Sequence, residues 1–245
     1  MDRDIERYAA SYSEMPFEPV QAEFRRAFVL EQIERMAPRS ILEVGCGWNP
    51  LFMDVQSKIK ICTVEPSQQF YDHACSLIKG HGNARLIQGF LEEVALEDIG
   101  TFDLVILSGV LHEVSQPLAL LESAKRFCSA HSQLHVNVPN AKSFHRLLAL
   151  EMGLIESLYQ LSESQRALEQ NNTFDLDSLS ALLQDAGFVV GDAGSYFVKP
   201  FTHKQMQSLI DRGIISRTML DGLMRLSKHF PNNGSEVYVN ARLAL

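Results

Sequence analysis

The chain has 245 residues, 46% of them hydrophobic and 21% charged. That is an ordinary globular balance, able to bury a sizeable core without disulfides or a structural metal. The net charge of -8, from 22 basic against 30 acidic residues, speaks against a nucleic-acid substrate, because phosphate backbones are met by basic surfaces. It still allows a local basic pocket for one small anion.

Met1-Asp2-Arg3-Asp4 lacks the apolar core of a signal segment, and no stretch reaches the roughly 20 apolar residues of a membrane helix. A cytoplasmic protein that engages neither membrane nor nucleic acid is expected. Cys46, Cys62, Cys75 and Cys128 form no C-x-x-C pair and no common zinc spacing. They read as buried or incidental thiols of a reducing compartment, with Cys128 ending a helical run, and no metal is expected.

Residues 1–37 carry Phe24, Phe28, Val29, Leu30, Ile33 and Met36 at helical spacing, which predicts amphipathic helix up to Pro38. Strands and helices then alternate. Residues 40–44 are a short strand ending in glycine, 51–57 a helix behind Pro50, 59–64 a β-branched strand, and 67–79 a helix capped by Ser67 and stopped by Gly80. Residues 84–87 are a strand, 91–96 a short helix or loop, 102–107 a strongly apolar strand, 117–128 an amphipathic helix, and 133–138 a strand closed by Pro139. This alternation predicts a mostly parallel sheet covered by helices on both faces.

After Asn140 the pattern changes. Residues 143–170 read as one long helical insertion above the sheet, and 174–186 as a helix closed by Gly187. Residues 188–190 and 196–198 are β-like, 202–228 one or two helices, and 235–245 a final alternating strand. The expected organisation is one domain, 1–245. It comprises an N-terminal helical segment (1–37), a ligand-binding core (38–140), a helical insertion (141–172) and a C-terminal part of the sheet with a helical insert (173–245).

The chemistry concentrates in Ile41-Leu42-Glu43-Val44-Gly45-Cys46-Gly47-Trp48-Asn49-Pro50. An apolar strand runs into a Gly-x-Gly turn, where missing Cβ atoms let backbone turn tightly and approach a ligand. A lone Gly-x-Gly is weak evidence. Here a strand precedes it, a helix is predicted behind it, and Glu65 stands at the end of the next strand, 20 positions past Gly45. A carboxylate there accepts hydrogen bonds from both ribose hydroxyls of an adenosine; the alternative is a solvent-facing glutamate at a strand end. A nicotinamide dinucleotide calls for a third glycine where Pro50 stands, since its pyrophosphate uses a helix N-terminus. Proline offers no N–H, and a sulfonium cofactor needs none. A nucleotide-dependent dehydrogenase is therefore the weaker reading.

Glu43-x-Gly45-x-Gly47 resembles motif I of class I S-adenosylmethionine-dependent methyltransferases. Glu65 is similar to that family's acidic ribose ligand. The run from Phe102 to Val114 is similar to its fourth strand and following loop, and the run from Thr173 to Phe188 to its segment leading into the sixth strand. The matches span about residues 40 to 190. The resemblance implies an α/β, Rossmann-like class I methyltransferase fold: a seven-stranded, mostly parallel sheet with helices on both faces and helical insertions forming a lid. It implies S-adenosyl-L-methionine as cofactor, with Glu43, Gly45 and Gly47 along its methionine part, Glu65 at the ribose, Gly89, Phe90 and Leu91 at the adenine, and Ser108 and Gly109 facing the methyl. Many members carry an acid where Phe90 stands, so adenine recognition there would rest on backbone and apolar contact.

His112 and His145 are the candidate general bases. For His112 the alternative is a loop histidine that caps a helix or packs on the cofactor. Asn140, His145, Arg146, Lys199 and His203 are candidate acceptor ligands; the last four together would make a cationic pocket for phosphate or carboxylate, although each one singly reads as an ordinary helix-end charge. Their two segments, 139–146 and 199–203, resemble methyltransferases of sugar and surface-polysaccharide biosynthesis. In related enzymes the N-terminal segment closes over the cofactor, which brings Tyr8, Tyr12, Arg25 and Arg26 into consideration, whereas Phe17 reads as core. The expected function is methyl transfer, by default to oxygen, on a small polar acceptor that is anionic or sugar-derived. The competing reading is a catalytically inactive partner protein of the same fold. The oligomeric state is left open, a homodimer among the options.

Overall fold

The computed structural model describes residues 5, 6, 15–161, 165 and 170–244; Tyr8 and Tyr12 lie outside them. Seven strands form one sheet in the order β3-β2-β1-β4-β5-β7-β6. They are β1 (Ser40–Val44), β2 (Lys60–Glu65), β3 (Ala84–Gln88), β4 (Phe102–Ser108), β5 (Cys128–Pro139), β6 (Phe188–Tyr196) and β7 (Glu236–Leu243). The first five are mutually parallel, and β7 runs antiparallel between β5 and β6. The chain reverses direction beside β1, so the carboxyl ends of β1, β2 and β4 surround the crevice where ligands of such sheets bind.

The apolar runs of the parallel strands are buried on both faces because successive side chains alternate. Leu42, Val44, Val64, Val105, Leu107, Val136 and Val138 share one cluster with Leu120, Leu121, Leu179 and Leu183 of helices α4 (Pro117–Lys125) and α6 (Leu176–Asp185). Ile41, Ile61, Leu104 and Ile106 face the other way, against Val29 and Ile33 of α1 (Glu18–Met36) and Ala74 of α2 (Gln68–Leu77). A third cluster joins Phe17, Phe24 and Phe28 to Tyr196, Phe197, Met206 and Leu220. It fastens α1 to the hairpin of α7 (His203–Asp211) and α8 (Arg217–Arg225) inserted between β6 and β7. Two short helices, α3 (Leu96–Ile99) and α5 (Phe144–Glu151), complete the set among the described residues.

Several boundaries differ from the sequence expectation. Residues 51–57 make only a 3-10 turn, Leu51–Met53, with Asp54 as its C-cap. Cys128 opens β5 rather than ending a helix, and it is buried with Cys46 and Cys62, all free thiols. The insertion is not one continuous helix: α5 ends at Glu151, and Gly153 turns the backbone into the left-handed region, φ 68°. The two β-like pieces after Gly187 are one strand with a bulge between Val190 and Ala193. Asp175 caps α6 through a reciprocal box with Ser178, which places Phe174 before the helix, bridged to Asn140. No helix among the described residues is long and apolar enough to cross a membrane.

Candidate functional site

The loop after β1 is held from two sides by carboxylates. Glu43 accepts from the Leu51 N–H at 3.0 and 3.2 Å and from Thr63 Oγ1 at 2.7 Å. Burial lifts its pKa to about 7 against the pull of those donors. Glu65 receives the N–H groups of Cys46 (2.8 Å) and Gly47 (3.3 Å) on Oε2 and that of Ser67 (2.9 Å) on Oε1. Its pKa is raised by burial and drawn back by the same N–H groups. The carboxylate at position 65 and the turn at 45–47 are therefore in direct contact.

Gly45 sits at φ 73°, and a Cβ there would lie 3.2 Å from Val110 Cγ2, whereas Gly47, at φ 53°, has open space where a Cβ would stand. The first glycine is required by backbone and crowding together; the second leaves backbone bare toward the crevice. Trp48 closes the turn, edge-on to Phe70 and His73 with centroids 5.0 and 5.1 Å away. Arg26 of α1 ties it down, donating to the carbonyls of Asn49 and Pro50 (2.9 Å for Pro50) and pairing with Asp54 at 2.7 Å.

From this turn a cavity of about 840 Å³ runs along the sheet edge. Glu43, Gly45, Gly47, Glu65, Phe90, Leu91 and Ser108 line it, as do His112, Asn140, His145, Arg146, Lys199 and His203. All the principal sequence candidates thus border one space. Phe90 is 48% exposed and Leu91 is buried, an open face beside a packed one. Phe17 belongs to the aromatic core.

Beyond Ser108 and Gly109 the wall is charged, and most of its charges answer one another. Glu236, 1% exposed, accepts from Arg25 Nε at 2.8 and 3.0 Å, from Gln21 Nε2 at 2.9 Å and from the Tyr196 hydroxyl at 2.6 Å. Burial pushes its pKa up, but Arg25 and these donors hold it below the usual carboxylate value. Arg25 also reaches Glu18 at 3.3 Å, and its side chain lies 3.9 Å from where a Cβ on Gly109 would be. His203 Nδ1 stands 3.9 Å from Glu18. Burial, with Lys199 and Arg25 nearby, drives the His203 pKa down to about 2. His145 is likewise pushed well below its ordinary value by burial and by Lys199, His203 and Arg146. Of the groups expected to make a cationic pocket, Lys199 feels the buried carboxylates Glu18 and Glu236, and both histidines are held in the neutral form by burial and their cationic neighbours.

Two candidates are spent on structure. Arg146 donates to the carbonyls of Leu158 (3.2 and 2.7 Å) and Gln160 (2.6 Å) and to Gln165 (3.4 Å), so its fork anchors the insertion. Asn140 donates to the carbonyls of Asn232 and Gly234 and accepts from the Lys142 N–H, bracketing the exit of β5 against the entry of β7. His112 places Nε2 3.7 Å from Glu113, and its carbonyl receives the N–H groups of Asn171 and Asn172.

Ser108 heads a buried relay. Its hydroxyl meets the Asn137 amide at 3.0–3.1 Å, Asn137 Nδ2 donates to His135 Nε2 at 3.1 Å, and His135 Nδ1 donates to Asn240 Oδ1 at 2.7 Å. Burial lowers the His135 pKa to about 4, so the ring is neutral and this single tautomer satisfies both neighbours. Glu18, Gln21 and Glu236 were missed from sequence. Glu18, Gln21 and Arg25 stand at helical spacing on one face of α1, a signal that was present.

The family model of a methyltransferase domain matches residues 21–192. No curated protein matches the chain. Among solved structures, the N-terminal domain of EvdMO1 with S-adenosylhomocysteine bound is 17% identical, with a TM-score of 0.53, covering 90% of this chain and 81% of that one. The plantazolicin methyltransferase BamL, in complex with a triazolic desmethyl-plantazolicin analog and S-adenosylhomocysteine, is 16% identical with a TM-score of 0.53, covering 98% and 96%. An S-adenosylmethionine-dependent methyltransferase from Mesorhizobium loti is 13% identical with a TM-score of 0.56, covering 86% and 96%. At these identities the likeness is one of fold.

Proposed function

The chain belongs to the methyltransferase-domain family and is a class I S-adenosylmethionine-dependent methyltransferase; from that premise we propose that it methylates a hydroxyl of a small, polar, sugar-like acceptor. The cofactor supplies a methyl group already activated on a positively charged sulfur. The residues present fit it: Glu65 would accept from the ribose hydroxyls, Gly47 leaves open backbone beside it, and Gly45 and Ser108 border the space between. Glu43 acts one step back, fixing the turn through Leu51 and Thr63. The cavity, at about 840 Å³, lies high in the roughly 300–1,000 Å³ range of small-molecule sites, which suits a donor and an acceptor side by side.

The observation that carries the acceptor class is the balanced wall beyond Gly109. Buried acceptors (Glu18, Glu236) stand there beside two donors, the partly buried Arg25 and the buried Lys199. A neutral compound with several hydroxyls satisfies both kinds, whereas a free anion would meet two carboxylates already in place. Enclosure in this wall aligns the hydroxyl oxygen with the methyl and excludes water, and such positioning supplies part of the roughly 7–11 kcal/mol available from effective molarity. His112 and His145, the two proton acceptors suggested by sequence, both line the cavity, and His145 is held well below its ordinary pKa by burial and its cationic neighbours.

The test is incubation with S-adenosylmethionine and a panel of sugars, sugar nucleotides, polyols, carboxylates and amines, reading S-adenosylhomocysteine release and the mass of the product. A methyl ether on a polyhydroxylated compound is the expected result. Turnover confined to carboxylates or amines would overturn the acceptor class and leave the family assignment intact.

A further inference from the structure

Lys199 is 3% exposed and lines the cavity. No hydrogen bond or ion pair holds its amine among the described residues; its Nζ rests 5.7 Å from the centroid of the Phe17 ring. An amine at this depth is normally paired. The segment that carries it is nevertheless rigid. The Phe197 carbonyl accepts the Ser235 N–H at 2.8 Å, and the Val198 N–H donates to the Leu223 carbonyl at 3.0 Å. Phe197 and Phe17 both occupy the left-handed region, at φ 57° and 66°, and their rings stack at 6.2 Å. Two side-chain-bearing residues kept at positive φ are strain that a packed site maintains. They set Glu18, next after Phe17, and Lys199, two after Phe197, on the same stretch of wall.

We propose that Lys199 is the general base of the reaction, its neutral amine taking the proton of the acceptor hydroxyl; this rests on the reading of the acceptor as a hydroxyl compound. The oxygen forms the new C–O bond to the transferred methyl. The C–S bond breaks with its electron pair going to sulfur, and the hydroxyl proton ends on Nζ. Positive charge thus passes from the sulfonium to Lys199, where two buried carboxylates await it.

The groups around the amine support this. Arg25 of α1 disfavours the ammonium, while Glu18 of α1 and Glu236 of β7 favour it; His203 of α7 and His145 of α5 face it as neutral rings. Burial outweighs the carboxylates and lowers the Lys199 pKa to about 7, near the value at which a base is both free of its proton and strong enough to take one. His145 and His203 are too weakly basic for that role, and the Nδ1 of His145 is sealed off.

Competitive acetylation with acetic anhydride at graded pH, read by peptide mass spectrometry, titrates each lysine of the whole enzyme without any acceptor. Lys199 is expected to reach half-maximal reactivity near pH 7. Lys142, whose pKa is raised by Asp175 and Asp177, is the internal contrast. On the acceptor found above, kcat of the wild type should rise with pH to a plateau through that same value. Lys199→Met should lose roughly 100-fold or more in kcat together with the rising limb, while binding S-adenosylhomocysteine as before; His112→Ala should keep the limb. Three outcomes overturn the proposal: a Lys199 that stays protonated to pH 9.5, a Lys199→Met enzyme within threefold of wild type, or turnover confined to acceptors with no hydroxyl. The last also removes the reading beneath it, and the acetylation result separates the two.

Discussion

The two ends of the cavity are built on opposite plans. At the turn end, Glu43, Gly45, Gly47 and Glu65 come from neighbouring parallel strands within 23 positions, and the carboxylates are satisfied mainly by backbone N–H groups. At the far end, Glu18, Arg25, His145, Lys199, His203 and Glu236 arrive from five segments of the chain, and Glu18, Arg25, His203 and Glu236 answer mainly one another. A site made of local backbone tolerates change elsewhere. A site made of mutually answering buried charges does not, since removing one partner strands the other.

Arg25→Met should break the far end most severely. It leaves Glu236 and Glu18 buried without their cation, a cost of about 3–5 kcal/mol visible as a large drop in Tm at pH 8. Acidification that protonates the stranded carboxylates should narrow the gap, the reverse of the intact protein. There the Glu236 pKa is depressed, so its contribution is present above the unfolded value and lost as pH falls through the folded one. An Arg25→Met protein with unchanged Tm would contradict the idea of mutual dependence.

Glu65→Ala should act on the turn end alone. Loss of two charge-assisted hydrogen bonds predicts a Kd for S-adenosylhomocysteine roughly 100-fold weaker by calorimetry, while Lys199→Met leaves that Kd unmoved. Equal effects from the two substitutions would erase the division.

Lys199→Met should raise stability. The folded amine loses its proton near pH 7, whereas the unfolded one keeps it to the ordinary value of 10.5. The unfolded chain therefore binds more protons across that window, and wild-type stability climbs with pH. Removing the amine should raise Tm by roughly 5 °C at pH 6, with the advantage fading toward pH 10. A constant advantage at every pH would mean the amine is never forced from its charge.

The smallest effect belongs outside both ends. Asp175→Ala removes the cap of α6 and the partner of Lys142 and Tyr159, costing about 1 kcal/mol. Thermal melts should show it, and S-adenosylhomocysteine affinity should not.

The same contrast explains what could be read before folding. Strands 40–44 and 102–107 were visible because burial on both faces leaves continuous apolar runs, and Glu65 because strand length fixes its distance from Gly45. The insertion reads as one helix in sequence because residues 143–170 contain a single glycine, Gly153, and no proline. Arg146 and Asn140 line the cavity, but residue type does not reveal that carbonyls of residues 158, 160, 232 and 234 claim their hydrogen bonds. Glu236 escaped notice because a glutamate opening a strand looks like any solvated acid until Arg25, 211 positions away, is seen beside it.

The central claim is that the carboxylate of Glu65 and the bare turn at Gly47 hold the adenosyl group while its sulfur faces Ser108 and Gly109. A crystal structure of the enzyme with S-adenosylhomocysteine tests it directly. The expected density places both ribose hydroxyls within hydrogen-bonding distance of Glu65, and the sulfur on the side of the cavity that leads to Arg25 and Lys199. A ribose bound away from Glu65, or a sulfur turned from that charged wall, would contradict the account.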